Sequence, residues 1–535
     1  MMMLTVLLSA AHASETVVVR LRTSSVPSSL RALGAKSVLP TGVDQQKVPE
    51  TVQSRSQRDA YESLRRYVVL TLPDGVSARE IADIDGVADV RPLVTMKIHA
   101  EPLTNDSLAS EQYALTTVGA LSAWTMATGK GIVVGIIDTG IDWTHEDLVG
   151  AMAVTAAEDV NKNGRFDDWP SDVEIDGVLG DLNGLDEDNN GVVDDVIGYD
   201  FVDQDVRNIG DDRGRDPIPF DEQGHGTSVG GVIAATPNNL LGIAGLAYGS
   251  RLRALRAFDA TGNAEEDDIA SALVYAALTG VNVVNMSFGD GVDSPMLRDA
   301  VKFASAMNVV LVASAGNTGT TSRQYPAGYD EVIAVGSTNE EDRRSPFSST
   351  GSLVALCAPG ESIVTTAVNS RYRTVNGTSF AAPYVAAAAA MMLERSAMQM
   401  SAAEIRGTLQ ERSLDLGERG WDVLYGAGRL QVDAALAAQG RSAYGIIKPS
   451  NEDEVDVRTT PTLAVMGSVL VAPFDSYSVS YGVGLEPTAW TTINSSNVAV
   501  VMDTLAKLNT TALTSGLYTI RLQVACKDGR SLDSR

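Results

Sequence analysis

Apolar positions recur along this chain in three rhythms, and each rhythm predicts a different kind of element. In the first hundred residues, Thr16-Val17-Val18-Val19-Arg20-Leu21 and Tyr67-Val68-Val69-Leu70-Thr71-Leu72 are β-rich runs, and Val87 to Val94 reads as another strand. Ser77 and Glu80 form a capping box before a short helix. These elements predict a small α+β unit of ferredoxin-like type over residues 14–100. From Gly131 the runs become almost continuously apolar, beginning with Ile132-Val133-Val134-Gly135-Ile136-Ile137 and returning at Val281 to Met286, Val309 to Ala313 and Val332 to Val335. Strands covered on both faces read this way. Helical patterns lie between them at Asp267 to Leu278 and Met296 to Ala306, with Val229 to Ala235, Phe380 to Glu394 and a box-capped helix from Ser401-x-x-Glu404 completing the set. The expectation is an α/β fold: a parallel sheet with helices on both faces, ending near Gln439.

The third rhythm is strict alternation. Tyr477, Val479 and Tyr481 alternate with polar residues, as do Tyr518, Ile520, Leu522 and Val524. Half-buried antiparallel strands with Ser/Thr-rich joins predict a β-sandwich, of fibronectin-III or immunoglobulin type, over residues 447–535. Thr459-Thr460-Pro461-Thr462 is excluded from the interior of a central strand, because proline has no amide N–H for the ladder.

Composition narrows the picture. The 535 residues exceed one ordinary domain, and 44% hydrophobic content is that of a globular protein. The first thirteen, MMMLTVLLSAAHA, carry a short apolar run and an Ala11-x-Ala13 ending like an export cleavage site, though without a basic start; a buried N-terminal segment is the alternative. No other run reads as a membrane span, since Phe380 to Leu393 is too short and contains Pro383. Cys357 and Cys526 fall in different predicted domains and make no disulfide framework or zinc cluster. Of the net charge of −27, the greater part is local: residues 158–222 hold 21 acidic residues against 5 basic ones. An acidic surface argues against nucleic-acid binding, which needs clustered Lys and Arg.

Candidate chemistry comes from four histidines. His12 and His99 lie in the export-like and pro-segment regions, leaving His145 and His225 as candidate bases for a hydroxyl nucleophile. His225 stands between two glycines. Asp138 ends a buried strand, at the edge where α/β sheets collect catalytic groups, and Ser379 lies in a turn opening an alanine-rich helix. Singly, each is more often structural than functional; together they are not.

The segments VVGIIDTGIDWTHEDL at 133–148, GHGTSVGGVIAA at 224–235 and NGTSFAAPYVAAAAA at 376–390 strongly resemble the signature segments of the subtilisin-like serine proteases, in the order Asp, His, Ser. The resemblance covers about residues 110–440. It implies a subtilisin-like catalytic domain over 101–440 with the acidic insertion 158–222, and assigns Ser379 as nucleophile, His225 as general base and Asp138 as orienting carboxylate. Asn317, in Ala313-Ser314-Ala315-Gly316-Asn317, matches the family's oxyanion-hole asparagine. Ser287, Phe288 and Gly289 resemble the segment that pairs with an extended peptide, and Ser314, Ala315, Gly316 and Thr318 the other wall of the specificity pocket. Thr318 stands where some relatives have Glu, so an uncharged or apolar preference before the scissile bond is expected. Ser228 departs from the family, where a second histidine usually follows GHGT; similar proteases carry a non-catalytic histidine at the place of His145.

The resemblance also gives residues 14–100 a role as an inhibitory pro-domain, cut off by the enzyme itself between Ile98 and Ser107, since Glu111-Gln112-Tyr113-Ala114-Leu115 resembles the start of mature enzymes. A permanent accessory domain is the alternative. Within the insertion, Asp186, Asp188, Asn190, Asp194 and Asp195, and earlier Asp159, Asn161, Asn163, Asp167 and Asp168, set oxygens at alternate positions around a glycine, the logic of a calcium loop without the EF-hand's last glutamate. The combined expectation is a secreted, calcium-stabilised serine endopeptidase made as a zymogen, needing no organic cofactor and acting on protein or peptide substrates, extracellular or attached to a cell surface. Its C-terminal module would take a surface or polymer ligand, another subunit, or serve as a spacer. The rival from another class is an inactive subtilisin-fold binding or adhesion protein acting through that module. A nucleotide-binding enzyme is disfavoured, because neither a P-loop nor GxGxxG follows the first strand.

Overall fold

The computed structural model describes residues 16–37, 65–73, 76–92, 104–203, 214–438, 442–449, 454–484, 487–527 and 529–534. The export-like segment and most of the expected cleavage region lie outside these residues. The chain divides into two compact units, 1–100 and 101–535.

The first unit runs β1 (Thr16–Leu21), α1 (Ser28–Ala32), β2 (Lys36–Ser37), β3 (Tyr67–Thr71), α2 (Ala78–Ala82) and β4 (Val87–Pro92). Its antiparallel sheet has the order β2-β3-β1-β4, the ferredoxin-like arrangement. Val17, Val19, Leu21, Val68 and Leu70 bury one sheet face together with Leu30 of α1 and Ile81 of α2. The Ser77–Glu80 capping box forms on α2.

In the second unit, two short helices, α3 (Tyr113–Thr117) and α4 (Ala120–Trp124), precede β5 (Val133–Asp138). The acidic insertion holds a hairpin of β6 (Glu174–Ile175) and β7 (Val178–Leu179), then β8 (Gly198–Asp200). There follow α5 (His225–Ala234), β9 (Arg251–Arg256), α6 (Glu266–Leu278), β10 (Val283–Met286), α7 (Pro295–Ala306), β11 (Val310–Ser314), β12 (Val332–Thr338) and β13 (Val354–Pro359). A second hairpin, β14 (Ile363–Ala367) with β15 (Arg371–Val375), leads into α8 (Thr378–Arg395), α9 (Ala402–Glu411) and α10 (Val432–Leu436).

Seven strands form a parallel sheet in the order β13-β12-β11-β10-β5-β9-β8. Because strand side chains alternate between faces, Val134, Ile136, Val283, Val310 and Val312 pack with α5 and α8, while Ile137, Val284, Met286, Leu311 and Ala313 pack with α6 and α7. The apolar runs are continuous for this reason. Helix α8 lies inside the larger core, buried from Thr378 to Leu393. Its alanines let its backbone approach the sheet closely.

The C-terminal strands are β16 (Ala443–Lys448), β17 (Thr462–Leu470), β18 (Phe474–Val483), β19 (Thr491–Ser496), β20 (Val500–Asn509), β21 (Tyr518–Cys526) and β22 (Ser531–Ser534). They form two antiparallel sheets, β16-β17-β20 and β19-β18-β21-β22. Val465, Val469, Tyr477, Val479, Leu505, Leu522 and Val524 fill the space between them. The first strand starts four residues before the expected boundary at Ile447, and Pro461 sits just ahead of the interior strand β17. Cys357 and Cys526 are both buried and form no disulfide among the described residues. Among the described residues no helix is long and apolar enough to cross a membrane.

Candidate active site

Asp138 is the last residue of β5, so an interior strand carries its carboxylate to the carboxyl edge of the sheet. His225 opens α5 directly after Gly224, whose φ of +96° lies in the left-handed region that favours glycine. The imidazole Nδ1 stands 2.8 Å from Asp138 Oδ1 and 3.0 Å from Oδ2. An Nδ1–H donated to this carboxylate leaves Nε2 as the acceptor, the tautomer a general base needs. The approach depends on Gly226: a Cβ there would run into the Gly140 carbonyl oxygen and lie 3.1 Å from Asp138 Cβ.

A buried second carboxylate braces this arrangement. Asp221 Oδ1 accepts from Thr139 Oγ1 at 2.8 Å, Gln223 N–H at 3.0 Å and Gly224 N–H at 2.6 Å, while Oδ2 accepts from Thr227 N–H at 2.8 Å and Thr227 Oγ1 at 2.6 Å. Thr139 Oγ1 in turn accepts from Gly226 N–H at 3.0 Å. Burial alone would depress the His225 pKa, but the charge of Asp138, the hydrogen bond to it and the charge of Asp221 outweigh burial and raise it above the ordinary imidazole value, against a contrary pull from Arg373. The imidazole remains accessible, with 26% of its side-chain surface exposed, whereas Asp138 has 4%.

Ser379 is the second residue of α8 and immediately precedes Phe380, which packs on the imidazole. The ring of Phe380 tilts against the imidazole with centroids 5.4 Å apart, which sets the starts of α5 and α8 together. Ser379 Oγ donates to the Ser287 carbonyl at 3.0 Å, and Ser287 Oγ donates to the Ser379 carbonyl at 2.7 Å. The hydroxyl thus rests on the cleft wall instead of the imidazole. Asn317 Oδ1 accepts from Thr378 N–H and Thr378 Oγ1, each at 2.9 Å, which fixes the amide so that Nδ2–H has no acceptor among the described residues. The Ser379 N–H is one of the open donors at the start of α8.

His145 differs from His225 in having both nitrogens engaged. It is fully buried, with Nε2 2.9 Å from the Arg371 carbonyl and Nδ1 accepting from Asp147 N–H at 3.1 Å. No lone pair remains to take a proton from a nucleophile. Its ring packs edge-on to Tyr372 at 5.2 Å and serves the fold.

The expected cleft residues lie at and beyond the ends of adjacent strands: Met286 of β10 pairs with Ala313 of β11, Ser314 is the last residue of β11, and the others follow the two strands. Both edges of β10 are occupied inside the sheet, and Ser287 to Gly289 lie beyond those pairings. Ser314 and Ala315 are buried, Gly316 turns at φ +106°, and Thr318 Oγ1 bonds Ser349 Oγ at 3.1 Å and Thr320 Oγ1 at 2.8 Å. Gln324 was not anticipated. Its side chain lies between the two glycine walls, with Cβ 3.3 Å from where a Cβ would stand on Gly289 and Cγ 2.9 Å from the same point on Gly316.

A family profile described as the subtilase family, peptidase S8, matches residues 129–428. The chain belongs to the subtilase family. As a member it is a serine endopeptidase, a hydrolase. A thermophilic serine proteinase of Bacillus sp. (strain AK1) is 35% identical over 295 residues, covering 54% of this chain and 60% of that protein. Thermitase of Thermoactinomyces vulgaris is 33% identical over 308 residues, 56% of this chain and 91% of its own, and subtilisin DY of Bacillus licheniformis 36% over 313 residues, 57% and 91%.

The acidic insertion of this subtilase folds into two neighbouring loops. In the first, Asp159 caps the N–H groups of Asn163 and Gly164, and Asp167 Oδ2 accepts from the side-chain amides of Asn161 at 2.8 Å and Asn163 at 2.6 Å. Asp168 is exposed and stands apart, while buried Asp181, absent from the sequence pattern, caps Asn161 and Asp167. In the second, Asp186 and Asp188 both accept from Asn190 N–H, and Asp195 bonds Asn190 and Tyr275. Carboxylate oxygens within 4.8 Å of one another come from Glu158, Glu187 and Asp194, and from Glu158, Asp186 and Asp188. Glu158 and Glu187 fall outside the alternating pattern, so periodicity could not find them. Burial and the Glu187 carboxyl push the Glu158 pKa up to about 7, against a lowering bond from Asp188 N–H. Among the described residues, one carboxylate oxygen each of Glu158, Glu187 and Asp195 is buried without a hydrogen-bond partner, and the orphaned Glu158 and Glu187 oxygens of the cluster fit a hard cation.

Proposed function

We propose that peptide bonds are cleaved through Ser379, His225 and Asp138 by way of an acyl-enzyme. The observation that carries this reading is the His225 Nδ1 contact to Asp138 beside Ser379 at the head of α8. For attack, Oγ would leave the Ser287 carbonyl for another staggered rotamer and give its proton to Nε2. As Oγ attacks the scissile carbonyl its proton passes to Nε2, and Asp138 stabilises the resulting imidazolium. The Ser379 N–H and Asn317 Nδ2–H, both without acceptors among the described residues, would donate to the oxyanion. Nε2–H then protonates the departing amine, and water activated by the same imidazole releases the acid.

The pocket between Ser287–Gly289 and Ser314–Thr318 would take the side chain before the scissile bond. Gln324 narrows it and Thr318 leaves it uncharged, which favours small or neutral side chains. The second acidic loop, with Glu158, would hold calcium, Glu158, Glu187, Asp186, Asp188 and Asp194 serving as ligands; the ion would tie together a loop whose carboxylates otherwise repel. Residues 14–100 would act as an inhibitory pro-segment removed by self-cleavage in an exported zymogen, and the C-terminal sandwich as an accessory binding module.

Casein hydrolysis by the full chain and by Ser379→Ala tests the mechanism. The variant should lose at least about 10⁴-fold in kcat and keep its full N-terminus, as read by N-terminal sequencing. Hydrolysis retained in Ser379→Ala refutes the nucleophile; removal of residues 14–100 from that variant, purified from a protease-deficient host, refutes self-processing.

A further inference from the structure

Ser228, at the place where similar proteases carry a second histidine, is fully buried in the first turns of α5. Its Oγ donates to the Thr366 carbonyl at 2.6 Å, with the Gly224 carbonyl at 3.1 Å. The small side chain leaves room for a guanidinium that reaches over from β15. Arg373 Nε donates to Ser228 Oγ at 2.9 Å, and its Nη2 donates to the Gly224 carbonyl at 2.7 Å. The two bonds clamp both ends of the turn from which His225 projects. Among the described residues, no carboxylate is paired with Arg373.

We infer that Arg373, seated on Ser228 and the Gly224 carbonyl, is a positioning residue for His225, fixing the backbone that aims the imidazole and supplying a cation against the carboxylates that face it. The inference rests on His225 being the general base. The charged groups around the imidazole are Asp138 from β5, Asp221 from the turn before α5 and Arg373 from β15; Phe380 from α8 is neutral. Two carboxylates without a counterweight would hold the imidazole protonated further up the pH scale and remove the base form at mildly acidic pH. The start of α5 and the arginine both present positive charge to the ring, which opposes that tendency. Fixed fork geometry suits arginine to this seat, because one planar group must reach a hydroxyl and a carbonyl together.

The test compares Arg373→Gln, Arg373→Lys and Ser228→Ala with the unsubstituted protein, through pH profiles of kcat/KM on a chromogenic peptide. The His225 titration is read separately by NMR in each variant combined with Ser379→Ala. For Arg373→Gln the imidazole pKa and the acid limb should both rise by roughly 0.5 unit, with kcat several-fold lower and KM nearly unchanged. Arg373→Lys should keep the limb in place while lowering kcat, because charge remains and the two-point clamp does not. Ser228→Ala removes one anchor and should give a smaller change in the same direction as Arg373→Gln; it carries the test if Arg373→Gln fails to fold. An imidazole titration and acid limb coincident with the parent in Arg373→Gln and Ser228→Ala would overturn the inference. The NMR arm needs no turnover, so this failure is distinguishable from failure of the triad reading, which Ser379→Ala hydrolysis detects.

Discussion

Single side chains in this molecule are set by what their neighbours leave undone. Asn317 illustrates this: Thr378 satisfies its carbonyl oxygen and nothing among the described residues satisfies its amide hydrogens, so the side chain is oriented before any substrate arrives. Asn317→Ala should therefore lower kcat by about 10²–10³ with little change in KM, since the donor acts on charge that exists only in the transition state. Steady-state kinetics on a peptide substrate check this; an equal rise in KM with kcat preserved would instead make Asn317 a ground-state contact. The histidines carry the same lesson. Composition left His145 and His225 as candidate bases, the family resemblance favoured His225, and hydrogen bonding agrees: His145 spends both nitrogens on backbone groups, while His225 spends one on Asp138.

At the scale of elements, the site is made where strand and helix ends converge. Helix α5 begins at His225, four residues before its apolar pattern does, because Asp221 takes up the open N–H groups of Gly224 and Thr227 and lets the helix start on the glycines. Close approach of α5 to β5 needs Gly226 bare. Gly226→Ala should cost about 1–3 kcal/mol of stability and most of the activity, because the added methyl must push the helix off Gly140 and Asp138. Denaturant melts and kinetics would check it; a variant with parental stability and rate would show that the contact yields freely. Strand β9 was invisible to the hydrophobic pattern. Arg251-Leu-Arg-Ala-Leu-Arg reads as a surface run, yet it lies inside the sheet, with Arg256 paired to Asp200 and Glu222 and Arg253 bound to Thr155 and the Asp195 carbonyl. Acidic partners from the insertion make that burial tolerable, and no local rule reveals partners 34 to 98 residues away.

For the whole molecule, the proposed calcium would couple the acidic insertion to the site. The insertion leads from the strand ending on Asp138 to the turn holding Asp221, so order in one supports order in the other. Calcium at about 100 times its Kd should add about 2.7 kcal/mol, seen as a rise of several degrees in Tm relative to EDTA-treated protein. Glu158→Gln should reduce that increment. A Tm indifferent to both calcium and chelator would remove the ion from the account. The sequence by itself determined the order of the layers, because burial on two faces, burial on one face and turn chemistry leave distinct local periods. It also singled out Asp138, His225, Ser379 and Asn317 as the candidate site residues, because they sit in short segments whose turns are locally encoded. Tertiary structure alone decided which histidine is free, that Gln324 lies between the pocket walls, that Glu158 and Glu187 complete the carboxylate cluster, and that Arg373 clamps the turn before α5. Each of these depends on side chains far apart in the chain meeting in a common desolvated space, where unpaired polar groups are costly, and pairing across such distances leaves no period in the sequence.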